Sequence, residues 1–261
     1  MLRRSIILFY GLACYAVFFA TFLYALGFVG NFIVPRSIDG VPQTGFAPAL
    51  LVDLGLLGLF AIQHSVMARP AFKRMLTRLV PESAERSTYV LASSVALIAL
   101  FFYWQPLGGL IWDVADPTGR GVLYGLFAFG WLLVLVSTFL INHFDLFGLR
   151  QVWLQFVGRP YTAVGFRTPG PYRLVRHPLY VGWFLAFWAT PTMSATHLLF
   201  AAATAGYILI AIQLEERDLI ASLGDAYRDY RRRVPMLVPF TMRGRRSAAL
   251  SQGRPETSAA N

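Results

Sequence analysis

From Ile6 to Val29 the chain carries not one charged side chain. Five more apolar stretches follow, near Ala47–Met67, Tyr89–Leu107, Val122–Ile141, Leu179–Pro191 and His197–Leu214. A stretch of about 20 apolar residues wound as a helix matches the hydrocarbon thickness of a bilayer. Inside lipid every backbone N–H and C=O must be paired within the protein, which leaves a helix as the form for segments of this length. The composition closes the other routes. Of 261 residues, 56% are hydrophobic and only 14% charged, against about 25% charged in an ordinary soluble domain. Neither a soluble globule nor a disordered chain fits. The expectation is an all-α, polytopic transmembrane helix bundle of about six spans.

The fifth stretch is short for a bilayer. It either crosses in locally thinned lipid or forms one arm of a helical hairpin with the sixth. The first stretch follows Arg3 and Arg4 and runs on without a small-residue cleavage site, so it is read as an anchor and not a removed signal.

Charge then orients the bundle. Of the 23 basic residues, 22 are Arg and one is Lys73, and the formal net charge is +10. Six spans put 21 of these cations on one side, in the N-terminus, the second loop (69–86), the fourth loop (150–176) and the C-terminal tail. Only Arg36 and Arg120 fall on the other. The positive-inside rule places the crowded side, with both termini, in the cytoplasm, as in a bacterial inner membrane. Topology and contact with anionic lipid account for the basic balance, and no nucleic-acid partner is needed.

Several features read as structure alone. Cys14 sits in an apolar run as a small core residue. Gly121 and Gly125 have the small-xxx-small spacing of closely packed membrane helices. The four histidines, His64, His143, His177 and His197, show no metal-ligand spacing on one helix. The chain divides into a four-span bundle (1–141), a core carrying the polar segments (142–242) and a polar tail (243–261) expected to be disordered.

Chemistry concentrates in two segments on the arginine-rich side. The first reads Arg167-Thr-Pro-Gly-Pro-Tyr172-Arg-Leu-Val-Arg176-His177-Pro178-Leu179-Tyr180-Val-Gly182. Its prolines stiffen a turn, and Pro178 suits the first position of the following helix. The helix N-terminus beside Arg176 and His177 would hold an anion, although interfacial anchoring explains the same residues. The second segment places Glu215-Glu216 just after the last span, then Gly224, Tyr227, Tyr230, Arg231-Arg232-Arg233 and Val234-Pro235. Paired carboxylates at a helix C-terminus invite a cation, whether an arginine of the fourth loop or a charged ligand. Tyr227 and Tyr230 share one face of a C-terminal amphipathic helix expected on the cytoplasmic membrane surface.

The string Arg176-His177-Pro178-x-Tyr180-x-Gly182, with Glu215-Glu216, Gly224, Tyr227, Tyr230 and Val234-Pro235 after it, resembles the C-terminal core of the isoprenylcysteine carboxyl methyltransferase superfamily. The run Asn142-His143-Phe144-Asp145-Leu146-Phe147-Gly148-Leu149-Arg150 resembles the nurim branch, in particular its bacterial members that methylate methanethiol to dimethyl sulfide. The resemblance implies an integral membrane enzyme using S-adenosylmethionine. It implies that Tyr172, His177, Pro178, Leu179, Tyr180 and Glu215 contact that cofactor. Prenylcysteine enzymes carry an arginine one turn before the first glutamate, where this chain has Ala211. That departure disfavours a carboxylate-bearing acceptor and suits a small volatile thiol, which could arrive through the bilayer.

The implied reaction is attack of a thiol sulfur on the donor methyl group, which asks mainly for alignment in a water-poor site. His143, Asp145 and Glu216 are candidate bases by location, and Arg150 a candidate for holding a thiolate. No single residue stands out as catalytic. Membrane reductases using NADPH share the Arg-His-Pro-x-Tyr string, and animal nurim is a non-catalytic alternative. Another thiol, a prenylcysteine or a lipid also stays open as acceptor.

Overall fold

The computed structural model describes residues 1–241, so the tail expected from 243 onward lies outside the described residues. The chain is helical almost throughout: α1 (Leu2–Gly30), α2 (Phe46–Ala68), α3 (Pro70–Leu76), α4 (Glu82–Tyr103), α5 (Pro117–Ile141), α6 (His143–Leu146), α7 (Leu149–Phe156), α8 (Pro178–Trp188), α9 (Ala195–Leu223) and α10 (Asp225–Arg233). Five of them, α1, α2, α4, α5 and α9, are long and apolar enough to cross a membrane. Their outward faces carry Phe9, Leu51, Ile62 and Ile210, all exposed, as lipid-facing side chains should be. The chain is a polytopic all-α membrane bundle.

Local chemistry sets the helix ends. Asp116 accepts from the Gly119 N–H at 2.7 Å ahead of Pro117, and the Ser194 hydroxyl accepts from His197 N–H at 2.9 Å. Both are N-caps, and Pro117 and Pro178 sit where a missing N–H costs nothing. Two elements differ from expectation. Helix α4 starts well before Tyr89, because Glu82 and Glu85 in its first turn favour the positive helix end. Helix α9 runs past Leu214 to Leu223, carrying Glu215, Glu216 and Asp218 inside the helix. Those charges are matched by partners from other segments, among them Arg69 on Asp218 at 3.1 Å. Gly224, at φ 58°, then supplies the backbone turn into α10 that a side chain would strain.

Two short strands, β1 (Leu110–Asp113) and β2 (Thr192–Ser194), form an antiparallel pair in register Leu110↔Ser194 and Asp113↔Thr192. They are the only strands among the described residues and bear on the fifth apolar stretch. His177, the residue before α8, touches Glu216 near one end of α9, while β2 leads directly into α9 at Ala195. Along the helix axis these points lie about 32 Å apart at ~1.5 Å per residue. Helix α8 rises through roughly half of that, and at its far end the Phe187 carbonyl already meets His197 Nε2 in the first turn of α9 at 2.9 Å. The chain from His177 to Ala195 therefore runs the length of the bundle and does not turn back midway.

The core is built by rings: Phe28, Phe101, Trp104, Phe127, Trp131 and Phe200 are all buried together. Helix α8 packs against α5 at van der Waals limits. A Cβ on Gly130 would stand 2.6 Å from the Ala186 nitrogen, and one on Gly182 would stand 2.8 Å from the Gly130 carbonyl oxygen. Gly182, the last residue of the Arg-His-Pro motif string, is thus a backbone-contact glycine. The expected pair Gly121 and Gly125 instead meets nothing within 4 Å; it faces away from every neighbouring helix, so its spacing makes no packing contact here.

The arginine-rich segments gather at one end. The Arg4 guanidinium lies against Gly158, α7 packs on α1 and α4, and the segment around Arg176 meets both α9 and the chain after α10.

Candidate active site

The site is built where three segments converge: the turn 170–177 entering α8, the last three turns of α9, and the chain from α10 to Met236. Backbone bonds pin the first to the third. Arg176 N–H donates to Pro235 O at 2.8 Å and His177 N–H to Met236 O at 3.2 Å. The Tyr230 hydroxyl donates to Tyr172 O at 2.6 Å. Tyr227 and Tyr230 are both buried, with Phe166 packed edge-on against them. The shared face of α10 is therefore turned into the protein, where the sequence reading set it on the membrane surface. Burial pushes the Tyr230 hydroxyl up to about 12, keeping it a donor.

The two adjacent glutamates do different work. Glu216 is 4% exposed and serves as an ionic hub: Oε1 accepts from Arg176 Nε at 2.6 Å and faces His177 Nε2 at 3.0 Å, and Oε2 meets Arg231 Nε at 3.2 Å. Arg176, itself 8% exposed, also donates to Val234 O at 2.7 Å and Arg231 O at 3.2 Å. A buried charge set of this kind is tolerable only because every member is paired. Both Glu216 oxygens and the Nε and Nη1 of Arg176 are thus spent inside the cluster.

Glu215 points the other way. Its side chain is 46% exposed, Oε2 accepts from the Tyr180 hydroxyl at 2.9 Å, and His177 Nδ1 stands 3.9 Å off. The Tyr172 hydroxyl, within electrostatic reach of Glu215, faces the Ser137 hydroxyl of α5. Both hydroxyls are buried and face each other, with no other polar partner. Burial, with the negative Glu215 nearby, raises the Tyr172 phenol above its ordinary value, so it stays a neutral hydroxyl whose one polar neighbour is Ser137. A hydroxyl pair of this kind keeps acceptor and donor capacity for a further group. Pro178 opens α8 as expected, and Leu179 lies beside it, half-buried. Tyr172, His177, Pro178, Leu179, Tyr180 and Glu215 are thus brought together at one place.

The substrate-side candidates make no bond to that set, although His143 bonds Thr138, the neighbour of the Ser137 that faces Tyr172. His143 is buried, its Nε2 paired with the Tyr15 hydroxyl at 2.8 Å and its Nδ1 with Thr138 Oγ1 at 2.9 Å, under a stacked Phe139. Burial lowers its pKa below the usual histidine value. Asp145 pairs with Arg150 at 2.9 Å and accepts from the Tyr161 hydroxyl at 3.3 Å. Arg150 also donates to Thr162 O at 2.7 Å and Thr162 Oγ1 at 2.8 Å. Among the described residues none of the three is bonded to Tyr172, His177, Tyr180 or Glu215. They tie the fourth loop to the end of α5, and both nitrogens of His143 are already engaged.

Against known proteins the outcome is sharp. The methanethiol S-methyltransferase of Crocosphaera subtropica is 57% identical over 92% of this chain and 94% of its own length. The chain belongs to the methanethiol S-methyltransferase family. The Mycobacterium tuberculosis member is 56% identical over 93% of this chain and 99% of its own length. Nurim of Sus scrofa is similar at 29% identity over 77% of this chain and 87% of its own length. No family model and no solved structure matches the chain. Membership makes the protein a methyltransferase by relationship, and nurim stands further off, as the run from Asn142 to Arg150 implied.

Proposed function

We propose that the protein is a membrane-embedded S-methyltransferase that takes its methyl group from S-adenosylmethionine and passes it to methanethiol, giving dimethyl sulfide. The acceptor comes from the activity for which the relatives are named; the donor rests on the site. The carrying observation is the open Glu215 carboxylate near the buried hydroxyl pair of Tyr172 and Ser137, which meets no other polar group of the protein. Such a set fits a ligand that brings both positive charge and acceptor atoms. S-adenosylmethionine brings a sulfonium, an ammonium, ribose hydroxyls and a carboxylate. A pyridine dinucleotide brings phosphates instead, and the buried arginine that would meet them, Arg176, is engaged by Glu216.

In this reading Glu215 holds the cationic or hydroxylated part of the donor, Tyr180 fixes the Glu215 rotamer, and Tyr172 supplies a hydrogen bond. His177, locked between the two glutamates, sets the distance between α8 and α9. The bound sulfonium supplies an electrophilic methyl group. The protein supplies alignment and exclusion of water, which for a sulfur nucleophile is most of the barrier. Charge orients the assembly: the end holding Glu215 also holds most of the arginines, so the donor enters from the cytoplasm.

The test is headspace analysis. Membranes containing the protein, given S-adenosylmethionine and methanethiol, are expected to release dimethyl sulfide above empty membranes. Saturable donor binding without product would move the assignment to another acceptor, and no donor binding would end it.

A further inference from the structure

Outside the donor site, one polar cluster lies within the apolar length of the bundle. His64 of α2 stacks on Phe60 and faces Tyr89 and Ser93 of α4. Its Nδ1 is 3.2 Å from Ser93 Oγ, and the Tyr89 hydroxyl straddles both ring nitrogens at 3.0 and 2.9 Å. With Ser93 on Nδ1 and Tyr89 on Nε2, the neutral ring is held only by hydroxyls, which can rotate and exchange for another donor. Gln63 donates to Ser93 at 3.3 Å, while its buried Oε1 accepts from nothing. Tyr207 of α9 closes the ring, its hydroxyl 3.1 Å from Ser65 Oγ and its ring edge-on to His64. Ionisable groups within membrane helices are costly and are retained for function.

The cluster adjoins the donor site. Tyr207, Ala211 and Glu215 follow one another at four-residue spacing, so they line one stripe of α9 over about 12 Å. Tyr180, bonded to Glu215, stands in the neighbourhood of both Tyr207 and Tyr89. Between the two tyrosines and Glu215 stands the small side chain of Ala211, half-buried. Of the other candidates, Asp145 is held by Arg150 and Glu216 by Arg176, His177 and Arg231, while His143, bonded to Tyr15 and Thr138, belongs to the junction of α1, α5 and the fourth loop and not to this stripe of α9.

We infer that His64, with Tyr89, Ser93 and Tyr207, forms the methyl-acceptor site, and that His64 takes the proton of a small alkyl thiol. This rests on the proposed methyl transfer and assigns its acceptor half. The S–H bond breaks, its proton going to His64 Nε2 as the Tyr89 hydroxyl gives way, and its electron pair staying on sulfur. The resulting thiolate forms the new carbon–sulfur bond as the methyl leaves the donor's sulfonium, which keeps the electrons of the broken bond as a neutral thioether. The imidazolium then returns its proton to water. On the stripe between the two sites Ala211 contributes only a methyl group, the smallest obstacle a side chain can offer to a molecule of methanethiol's size.

The experiment uses the purified full-length protein and the variants His64→Gln, which keeps a hydrogen-bonding side chain without a titrating base, and Ala211→Leu. Groups facing His64 are Tyr89 from α4 and Tyr207 from α9; beyond them lie Glu85, Arg86, Arg69 and Lys73. His64→Gln is expected to lower kcat with methanethiol about 100-fold or more. The loss should shrink toward high pH as the thiol ionises unaided, while binding of S-adenosylmethionine is unchanged. Ala211→Leu is expected to raise KM for methanethiol with donor binding retained. Without any methyl donor, methanethiol should slow carbethoxylation of His64 by diethyl pyrocarbonate. Activity of His64→Gln within threefold of wild type, an unaltered pH profile, or no protection by methanethiol would each overturn the assignment. If the wild type itself binds donor but makes no dimethyl sulfide, the proposed reaction fails first and this inference with it.

Discussion

Two neighbouring carboxylates should answer mutation in opposite ways. Glu216→Ala leaves the Arg176 guanidinium, 8% exposed, and the buried His177 ring facing an empty space. Removing one partner of a buried ion pair costs about 3–5 kcal/mol. The lower end applies, because Arg176 retains the Arg231 and Val234 carbonyls as acceptors. At roughly 2–4 °C per kcal/mol for a chain of this size, thermal unfolding should drop by about 6–12 °C. Glu215→Ala removes a half-exposed side chain and one hydrogen bond from Tyr180, about 1 kcal/mol or less. Its melting point should move little, while binding of S-adenosylmethionine is lost. The assay is thermal unfolding of both variants in detergent beside equilibrium donor binding. Equal destabilisation by the two substitutions, or a Glu216→Ala protein that melts like wild type, would refute the division of labour.

Gly182→Val should destabilise by about 1–3 kcal/mol or block assembly, because its Cβ would meet Gly130 O and Val134 N at 2.8 and 2.9 Å; Gly121→Val, facing open space, should leave thermal unfolding unchanged. His143 has its pKa lowered by burial in the folded chain, so below the unfolded value of about 6.5 the unfolded chain binds the extra proton and stability falls as pH falls. Melting curves between pH 7 and pH 5 should show this fall in wild type and less of it in His143→Gln. Arg150→Lys loses the paired donation to Thr162, and limited proteolysis should then cut faster within residues 157–169.

The membrane bundle could be read from the chain because apolar runs and arginine counts are local quantities. What could not be read depended on helix phase and on distant partners. Glu215 and Glu216 look alike in sequence; once α9 continues through them they point about 100° apart, and one enters the ion cluster while the other stays open. Gly121 and Gly125 had the right spacing for close packing, yet the contact is made by Gly130 and Gly182, because which face meets α8 is a tertiary matter. His64 offered no local signal: Tyr89 and Ser93 lie 25 and 29 residues away, and Ser65 meets Tyr207 across 142 residues. The convergence of Tyr172, His177, Tyr180 and Glu215 was implied by resemblance, and the structure brings those residues together.

In this reading the open Glu215 and the buried Tyr172 hydroxyl hold a sulfonium donor. Equilibrium binding of methyl-labelled S-adenosylmethionine to the purified protein tests it most directly. Saturable binding, displaced by S-adenosylhomocysteine but not by NADPH and abolished in a stably folded Glu215→Ala protein, is the expected result. Binding that survives in Glu215→Ala, or that NADPH displaces, would contradict it.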